Sequence, residues 1–186
     1  MHTEIVMAGF GGQGVLLIGK LMAYAGMQGG HEVTWMPSYG PEMRGGTCNC
    51  TVVLSDKQIG SPLSKNPNVL IVLNLPSLDK FEDSVQPGGI IVVNTSLINR
   101  LPKRTDVTVV PVPANEIATK LGNAKAANMV ALGAFLGASG IVPLEKVKTV
   151  LAEAFAARPK LVPLNQEALR LGYEIGQAHA AAPVAG

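Results

Sequence analysis

The opening residues of the chain constrain its fold more than any other stretch. A short apolar run, 5–8, leads into six residues that match the pattern G-x-G-x-x-G, from Gly9 to Gly14. The apolar stretch that follows, 15–27, carries a single charge at Lys20. A strand, a glycine turn and a buried helix, in that order, are typical of the first unit of an α/β protein with a parallel sheet.

The rest of the chain alternates strands and helices in the same way. Further strands are predicted at 32–36, 47–54, 69–73, 90–93 and 107–110, and helices at 76–85, 113–121, 126–142, 143–155 and 165–178, the last capped by Asn165. Most of the strands are continuous apolar runs, which are typical of sheets covered on both faces. We therefore predict one Rossmann-like α/β domain over 1–186, with a mostly parallel sheet flanked by helices, helical C-terminal packing and a frayed tail from about residue 180.

Composition limits the classes of partner. Charged residues make up only 15% of the chain, against about 25% in an average domain. This deficit predicts that part of the surface contacts other protein, although an ordinary globular domain also fits the numbers. A net charge of +2 is too small to indicate a nucleic acid or an anionic membrane as partner.

The cysteine content argues against an iron–sulfur cluster held by this chain. Cys48 and Cys50 are the only cysteines, whereas a cluster usually needs four thiolates. Two residues apart on a strand, they share one face, and we interpret them as half-buried thiols in a reducing cytoplasm. A redox pair is the alternative.

One uncharged stretch imitates a membrane span. Nothing between Lys125 and Glu145 is charged, but glycines and polar residues interrupt this stretch. We interpret it as a buried helix whose Gly133 and Gly137 admit a second backbone, from this chain or from a partner. The first residues lack the basic start and apolar core of a signal peptide, so a cytoplasmic location is expected.

The glycine turn lacks the other parts of a nucleotide site. A dinucleotide site needs an acidic residue at the end of the second strand, but residues 34–37 contain neither a carboxylate nor an arginine. The turn also lacks the Lys-Ser/Thr ending of a P-loop. It remains a turn that tolerates anions, and it either faces a phosphate or packs against a neighbouring element.

Parallel sheets gather their functional loops at the carboxyl ends of the strands. This rule predicts that 9–14, 38–46, 74–77 and 94–96 lie at one edge. Arg44, the only arginine before Arg100, lies in a loop rich in glycine and proline. Ordering such a loop is costly, which favours a contact for Arg44 over a solvated charge. The three histidines are scattered and no catalytic set emerges.

Three stretches together resemble one family. They are GFGGQG at 9–14, SYGPEMRGG at 38–46 and NMVALG at 128–133. In this order they are similar to the gamma subunit, or gamma domain, of the 2-oxoacid:ferredoxin oxidoreductases of the pyruvate, 2-oxoglutarate and branched-chain types. The similarity runs from about residue 4 to residue 177. Cys48 departs from the pattern, since many relatives are expected to carry serine there.

The resemblance implies oxidative decarboxylation of a 2-oxoacid to an acyl-coenzyme A, with reduction of ferredoxin. It places thiamine diphosphate and the iron–sulfur clusters on the alpha, beta and ferredoxin-like delta subunits, and leaves this chain with no tightly bound cofactor and inactive when isolated. It also implies that coenzyme A arrives near this chain. The second function considered is a stand-alone nucleotide-binding regulator or NAD(P)-type reductase that uses the glycine turn.

The resemblance also implies roles for individual residues. The set that faces coenzyme A or another subunit comprises Gly9, Gly11, Gly12, Gln13, Gly14 and Arg44. The set that contacts other subunits comprises Ser38, Tyr39, Gly40, Pro41, Glu42, Arg44, Gly45, Gly46 and Asn128. The subunit contacts are expected through the 38–46 loop or the 126–142 helix.

Overall fold

The computed structural model describes residues 1–38 and 47–180, and within them the predicted α/β fold is confirmed. The strands are β1 (His2–Phe10), β2 (Glu32–Ser38), β3 (Thr47–Ser55), β4 (Val69–Val72), β5 (Ile90–Asn94) and β6 (Thr108–Val112). The α-helices are α1 (Val15–Gln28), α2 (Leu75–Phe81), α3 (Ala114–Lys120), α4 (Ala127–Ser139), α5 (Leu144–Ala154) and α6 (Val162–Ala178). Short 3₁₀ turns occupy Glu82–Ser84, Ala124–Ala126 and Pro159–Leu161.

The described strands form one sheet in the order β2-β3-β1-β4-β5-β6. Strand β1 pairs in parallel with β4, β4 with β5, and β5 with β6. Strand β3 lies between β1 and β2 and is antiparallel to both. Two antiparallel pairings in succession make β2 point the same way as β1. The carboxyl ends of β1, β2, β4 and β5 therefore lie at one edge, as predicted for the loops that follow them.

The two faces of the sheet are covered unequally. One face packs against α1, α3, α4, α5 and α6 in the larger core. The other face packs against α2 and the segments that flank it, and Val6, Leu70 and Ile91 lie in this smaller core. Strands β4 and β5 are buried on both faces, as predicted. The prediction is wrong for the strand at 107–110, because β6 is only partly buried. On β2, Met36 is 39% exposed.

The uncharged stretch forms α4, a helix buried almost all round, as predicted. Its glycines meet the backbone of α6: a Cβ at Gly133 or Gly137 would overlap the carbonyl oxygen of Leu169 or Tyr173. The glycines of α6 return the contact, because a Cβ at Gly172 would overlap the carbonyl of Val130. The close approach thus lies within this chain, which is one of the two alternatives the sequence left open; a partner contact through 126–142 stays a prediction.

The start of α6 also differs from the prediction. The helix begins at Val162, with a proline in its first turn, and Asn165 lies inside it. The side-chain Nδ2 of Asn165 donates to the carbonyl oxygen of Leu161 over 2.8 Å, so Asn165 is not the N-cap. Across 1–38 and 47–180, the chain contains no helix with both the length and the apolar character to cross a membrane.

Candidate functional site

The glycine turn joins β1 to α1 at the carboxyl edge of the sheet. The amide N–H of Phe10 donates to Oε1 of Gln13 over 2.6 Å, and the N–H of Gln13 donates to the carbonyl of Phe10 over 3.2 Å. Gly12 and Gly14 have φ angles of 90° and 77°, in the left-handed region that other residues adopt only at a cost. The Gln13 side chain and these two glycines therefore define the shape of the turn.

Asn128 holds the turn from the side of α4. Its Nδ2 donates to the carbonyl oxygen of Gly14 over 3.2 Å, and a Cβ at Gly14 would overlap the Asn128 amide. Asn128 is only 3% exposed. It was predicted to contact another subunit, but the structure places it in the interior, where it ties α4 to the turn.

Asn94, at the end of β5, organises the adjacent part of the edge. Its Oδ1 accepts from the backbone N–H groups of Ser96, over 3.3 Å, and Ala114, over 3.2 Å. Its Nδ2 donates to the carbonyl of Leu73 over 3.2 Å and to Oδ1 of Asn115 over 2.8 Å. Asn94 is 1% exposed, so this network is internal and joins β4, β5 and α3.

Asn74, at the end of β4, has a structural role as the N-cap of α2. Its Oδ1 accepts from the N–H of Ser77 over 2.9 Å. Both residues are buried. Segment 74–77 thus lies at the predicted edge, but the side chains of Asn74 and Ser77 are turned into the protein.

A cavity of about 200 Å³ opens between the glycine turn and the connection from α3 to α4. It is lined by Gly12, Gln13, Leu73, Asn94, Asn115, Ala124, Lys125 and Ala127. Gly12 and Gln13 were predicted as site residues, whereas Asn115 and Lys125 were not. The only sequence signal for them was polarity near a predicted helix, which many surface residues share.

Apart from Asn128, the predicted site residues fall into three groups. Gly9, Gly11, Gly12, Gln13 and Gly14 form the turn at the carboxyl edge. Ser38 is exposed at the end of β2. The remaining residues of the loop, Tyr39 to Gly46 and therefore Arg44, lie outside the described residues.

The two cysteines are more deeply buried than predicted. Cys48 is 5% exposed and Cys50 is fully buried, and both are free thiols. Burial raises the pKa of Cys50 to about 12, and its thiol donates to the carbonyl oxygen of Val15 over 3.7 Å. A thiol with that pKa is not a thiolate at neutral pH, which does not favour the redox-pair alternative.

The sheet order separates the turn from the end of the second strand. Because β3 lies between β1 and β2, the end of β2 is two strand spacings, roughly 10 Å, from β1. A residue there is poorly placed to bind the ribose of a nucleotide on the turn. In 1–38 and 47–180, no group of three or more His, Cys, Asp or Glu residues could hold a metal ion.

The fold and the turn define a Rossmann-like α/β domain with a glycine turn at the carboxyl edge of its sheet. Residues 4–175 match the family model described as pyruvate ferredoxin/flavodoxin oxidoreductase. The chain belongs to this family, and the resemblance seen in the sequence is confirmed. The stand-alone nucleotide-binding alternative is not supported.

Individual relatives agree with the family model. The chain is 42% identical to ketoisovalerate oxidoreductase subunit VorA of Methanothermobacter thermautotrophicus over 93% of this chain and 36% of VorA. It therefore spans little more than a third of the VorA relatives it matches. It is 32% identical to 2-oxoglutarate synthase subunit KorC of Methanocaldococcus jannaschii, over 95% of both chains.

Solved structures show the same fold. The gamma subunit of keto/oxoacid ferredoxin oxidoreductase from Geobacter sulfurreducens superposes with a TM-score of 0.81 at 30% identity, covering 96% of this chain and 98% of that one. The 2-oxoglutarate:ferredoxin oxidoreductase of Magnetococcus marinus superposes with a TM-score of 0.89 over 98% of this chain and 32% of that one. At 24% identity, the second likeness concerns the fold alone.

Proposed function

We propose that this chain is the gamma subunit of a multi-subunit 2-oxoacid:ferredoxin oxidoreductase. The enzyme converts a 2-oxoacid and coenzyme A to an acyl-coenzyme A and carbon dioxide, and passes two electrons to ferredoxin. The observation that carries this proposal is the match, over nearly the full length of both chains, to the Geobacter sulfurreducens gamma subunit. The names of the VorA and KorC relatives, ketoisovalerate and 2-oxoglutarate enzymes, support the 2-oxoacid class.

The cofactors of the reaction belong to partner subunits in this proposal. Thiamine diphosphate and the iron–sulfur clusters reside on the alpha, beta and ferredoxin-like delta subunits, in the cytoplasm. Two points support this division: the chain has only two cysteines, and both are buried free thiols. A cluster needs more thiolates than this chain can offer.

Coenzyme A approaches the carboxyl edge of the sheet. The glycine turn supports this placement, because backbone N–H groups at the start of α1 suit an anionic phosphate. Arg44 follows β2 in sequence and its guanidinium suits a phosphate clamp. The structure of the Magnetococcus marinus enzyme has 2-oxoglutarate, coenzyme A and succinyl-coenzyme A bound, which adds support for the ligand class.

Reconstitution of the complex from co-expressed subunits tests the function. With this chain present, we expect 2-oxoacid-dependent dye reduction that requires coenzyme A for turnover. The Arg44→Ala variant is expected to raise the apparent coenzyme A requirement about ten- to a hundredfold, since a charged hydrogen bond contributes about 1.5–3 kcal/mol. Its first half-reaction, measured without coenzyme A, should be unchanged.

Two results would contradict these expectations. A complex that assembles and turns over equally well without this chain would contradict the proposed function. Normal coenzyme A dependence and normal assembly of Arg44→Ala would leave Arg44 a solvated charge. Poor assembly of that variant would instead assign Arg44 to a subunit contact.

The partner subunits contact the uncovered part of the sheet over β1, β3 and β2. A groove of about 380 Å³ there is lined by apolar Val6, Met36 and Leu63 together with Lys65 and Lys80. Leu63 is 66% exposed. Neither lysine has an ion-pair partner among the described residues, and no acidic residue lines the groove. This surface suits a subunit segment that combines apolar and acidic side chains, and the low overall charge of the chain supports such a covered surface.

Substitutions at two exposed methionines test whether this surface contacts a partner subunit. Met36→Glu places a carboxylate in the groove, where it is buried on assembly, so we expect the yield of co-purified complex to fall about tenfold or more. Met27→Glu makes the same change on α1, at the other face of the sheet, where Met27 is 58% exposed. Equal yields of complex from the two variants would place the contact elsewhere.

A further inference from the structure

Strand β2 lies at the edge of the sheet, and its outer side is open. It pairs with β3 on one side only, in a register that runs without a bulge from Glu32 to Ser38. Native edge strands are usually protected by lysines, bulges or a covering segment, because their free backbone groups pair readily with another strand. Strand β2 contains no lysine, and no backbone group of the described residues hydrogen-bonds to it from the outer side. Its outer side is therefore able to receive a further strand.

The direction of the backbone groups follows from β1. There the N–H of Glu4 donates to Oδ1 of Asn68 over 2.8 Å, and the carbonyl of Glu4 accepts from the N–H of Asn68 over 2.9 Å. Asn68 immediately precedes β4, so Glu4 faces β4. Because backbone groups point to alternate sides along a strand, the odd-numbered residues of β1 face β3. Strand β3 therefore faces β1 with its even-numbered residues and β2 with its odd-numbered residues.

The same alternation identifies the outward residues of β2. Its even-numbered residues, Thr34 and Met36 among them, lie opposite odd-numbered residues of β3 and bond to that strand. The backbone groups of Val33, Trp35 and Pro37 therefore point away from the sheet. Val33 and Trp35 each present an N–H and a carbonyl, whereas Pro37 presents only a carbonyl. A proline at an outward position removes no bond from the sheet, which is where edge strands tolerate it.

Strand β6, at the other edge of the sheet, offers less. The N–H of Thr108 donates to the carbonyl of Gly89, just before β5, over 2.8 Å. By the same alternation, Val109 and Pro111 point outward. Because proline has no N–H, Val109 supplies the only outward donor within β6. Strand β2 is thus the better template for an added strand.

Strand β2 is complementary to a second copy of itself. In an antiparallel pair with a twofold axis between the two Thr34 residues, Val33 of one copy lies opposite Trp35 of the other. There are two such pairs, and each exchanges two N–H···O=C bonds. Every outward backbone group of Val33 and Trp35 then has a partner.

A shift of the axis by one residue leaves groups unpaired. With the axis at Trp35, Pro37 of one copy lies opposite Val33 of the other, whose carbonyl then has no N–H to accept. With the axis at Val33, His31 lies opposite Trp35. The N–H of His31 already donates to the carbonyl of Gly26 over 3.1 Å, so the carbonyl of Trp35 would lack a donor. The backbone therefore selects the first register.

We propose that the outer edge of β2 is a docking surface for a second copy of this chain, paired antiparallel about Thr34. The side chains then lie in pairs across the axis: Val33 with Trp35, Thr34 with Thr34, and Glu32 with Met36. Pairs of a β-branched with an aromatic residue and of two threonines are favourable across strands, and no like charges lie opposite each other. The contact is symmetric, as in most homodimers. This docking surface does not depend on the function proposed above.

Amide hydrogen exchange of the full chain, measured by NMR at several protein concentrations, tests the pairing. In dilute solution, the amides of Thr34 and Met36 should exchange slowly because they bond to β3, and those of Val33 and Trp35 should exchange fast. A short edge buries little surface, so we expect a dissociation constant on the order of 100 µM. At about 1 mM, both outward amides should therefore slow about threefold or more. Sedimentation equilibrium measures the dissociation constant directly.

Charge substitutions at Met36 test the register, because this exposed residue lies opposite Glu32 of the other copy. Met36→Lys is expected to tighten the dimer about three- to tenfold through two symmetric ion pairs. It also raises the net charge above +2, which by itself would weaken association. Met36→Glu is expected to weaken the dimer by a similar factor, and Glu32→Lys added to Met36→Glu should restore it. The control is Met27→Lys on α1, whose dissociation constant should stay within about twofold of the wild type.

The outcomes separate a second copy from other occupants of the edge. A chain that stays monomeric at about 1 mM overturns the proposal. So does a dimer whose outward amides exchange as fast as in the monomer, or an equal effect of Met36→Lys and Met36→Glu. Slow exchange of the outward amides in a monomeric sample would contradict the open edge. If the chain is monomeric and these amides slow only in the reconstituted complex, another subunit supplies the strand and the second copy is rejected.

Discussion

Gly172→Ala is expected to lower the free energy of unfolding by about 3–5 kcal/mol, a large share of the 5–15 kcal/mol typical of a native protein. The added methyl would overlap the carbonyl oxygen of Val130 on the facing helix. A backbone atom cannot turn aside as a side chain can. The helices α4 and α6 must therefore separate, and their other glycine contacts are lost with the first.

The expected loss outweighs a gain in helix propensity. Alanine in place of glycine in a helix interior contributes about 1 kcal/mol of stability, so the clash must exceed that figure before any loss is seen. Denaturant unfolding followed by circular dichroism measures the difference. Gly60→Ala serves as the control, because a Cβ there meets no atom within 4 Å and its backbone needs no left-handed angle. If both variants unfold within about 1 kcal/mol of the wild type, α4 and α6 do not pack as described.

Glu82→Gln is expected to cost about 2–3 kcal/mol at neutral pH. Glu82 is 4% exposed, and its carboxylate accepts from Arg100 over 2.7 Å and from the N–H of Lys103 over 3.1 Å. Glutamine is neutral and has only one acceptor oxygen, so Arg100 loses its buried charged partner and is left with the exposed carboxylate of Asp79. We place the cost below the 3–5 kcal/mol of a fully buried pair because the Arg100 side chain is 25% exposed.

The pH dependence of this effect has a definite sign. Burial alone would raise the pKa of Glu82, but the hydrogen bonds from Arg100 and Lys103 outweigh it, and the pKa lies below its ordinary value of about 4.3. A carboxyl group with a lowered pKa contributes stability above its unfolded-state pKa, and that contribution is lost as the pH falls through its folded-state pKa. The difference in the free energy of unfolding between wild type and Glu82→Gln should therefore be largest at neutral pH and should shrink in acid, below about pH 4.

An exposed ion pair provides the matched control. Glu174→Gln makes the same change opposite Arg170 on α6, where both side chains are largely in solvent. We expect a loss of less than about 1 kcal/mol there. Unfolding curves from neutral to acid pH compare the two variants with the wild type. An equal loss of stability in both variants would contradict the role given to Glu82. So would a stability difference between wild type and Glu82→Gln that grows in acid.

Local sequence patterns predicted well where strands and helices lie, but they predicted less well which of these elements are neighbours in the fold. The strand at 47–54 is confirmed as β3, yet nothing local indicates that it pairs antiparallel between β1 and β2, because pairing is decided by contacts distant in sequence. Asn165 matched a cap pattern, but a proline nearer the start had already set the helix terminus.

The candidate site likewise has a part that the sequence predicted and a part that it did not. The glycine turn could be predicted because its residues are adjacent and its left-handed angles require glycine at Gly12 and Gly14. Asn128 was noticed as part of a motif, but whether it faces inward or outward depends on the packing of α4. Asn115 and Lys125 join the turn only through the sheet topology, and single polar residues carry no periodicity that would reveal this.

The hydrogen bond from Asn128 to Gly14 also bears on the order of events during synthesis. The two residues are 114 positions apart, so a ribosome adds the second on the order of ten seconds after the first. Until then the turn has its glycines but lacks the amide that holds Gly14 in place. A nascent chain, or a fragment ending before α4, therefore lacks the completed turn. Under the function proposed above, we expect assembly with partner subunits to follow the folding of the second half of this chain.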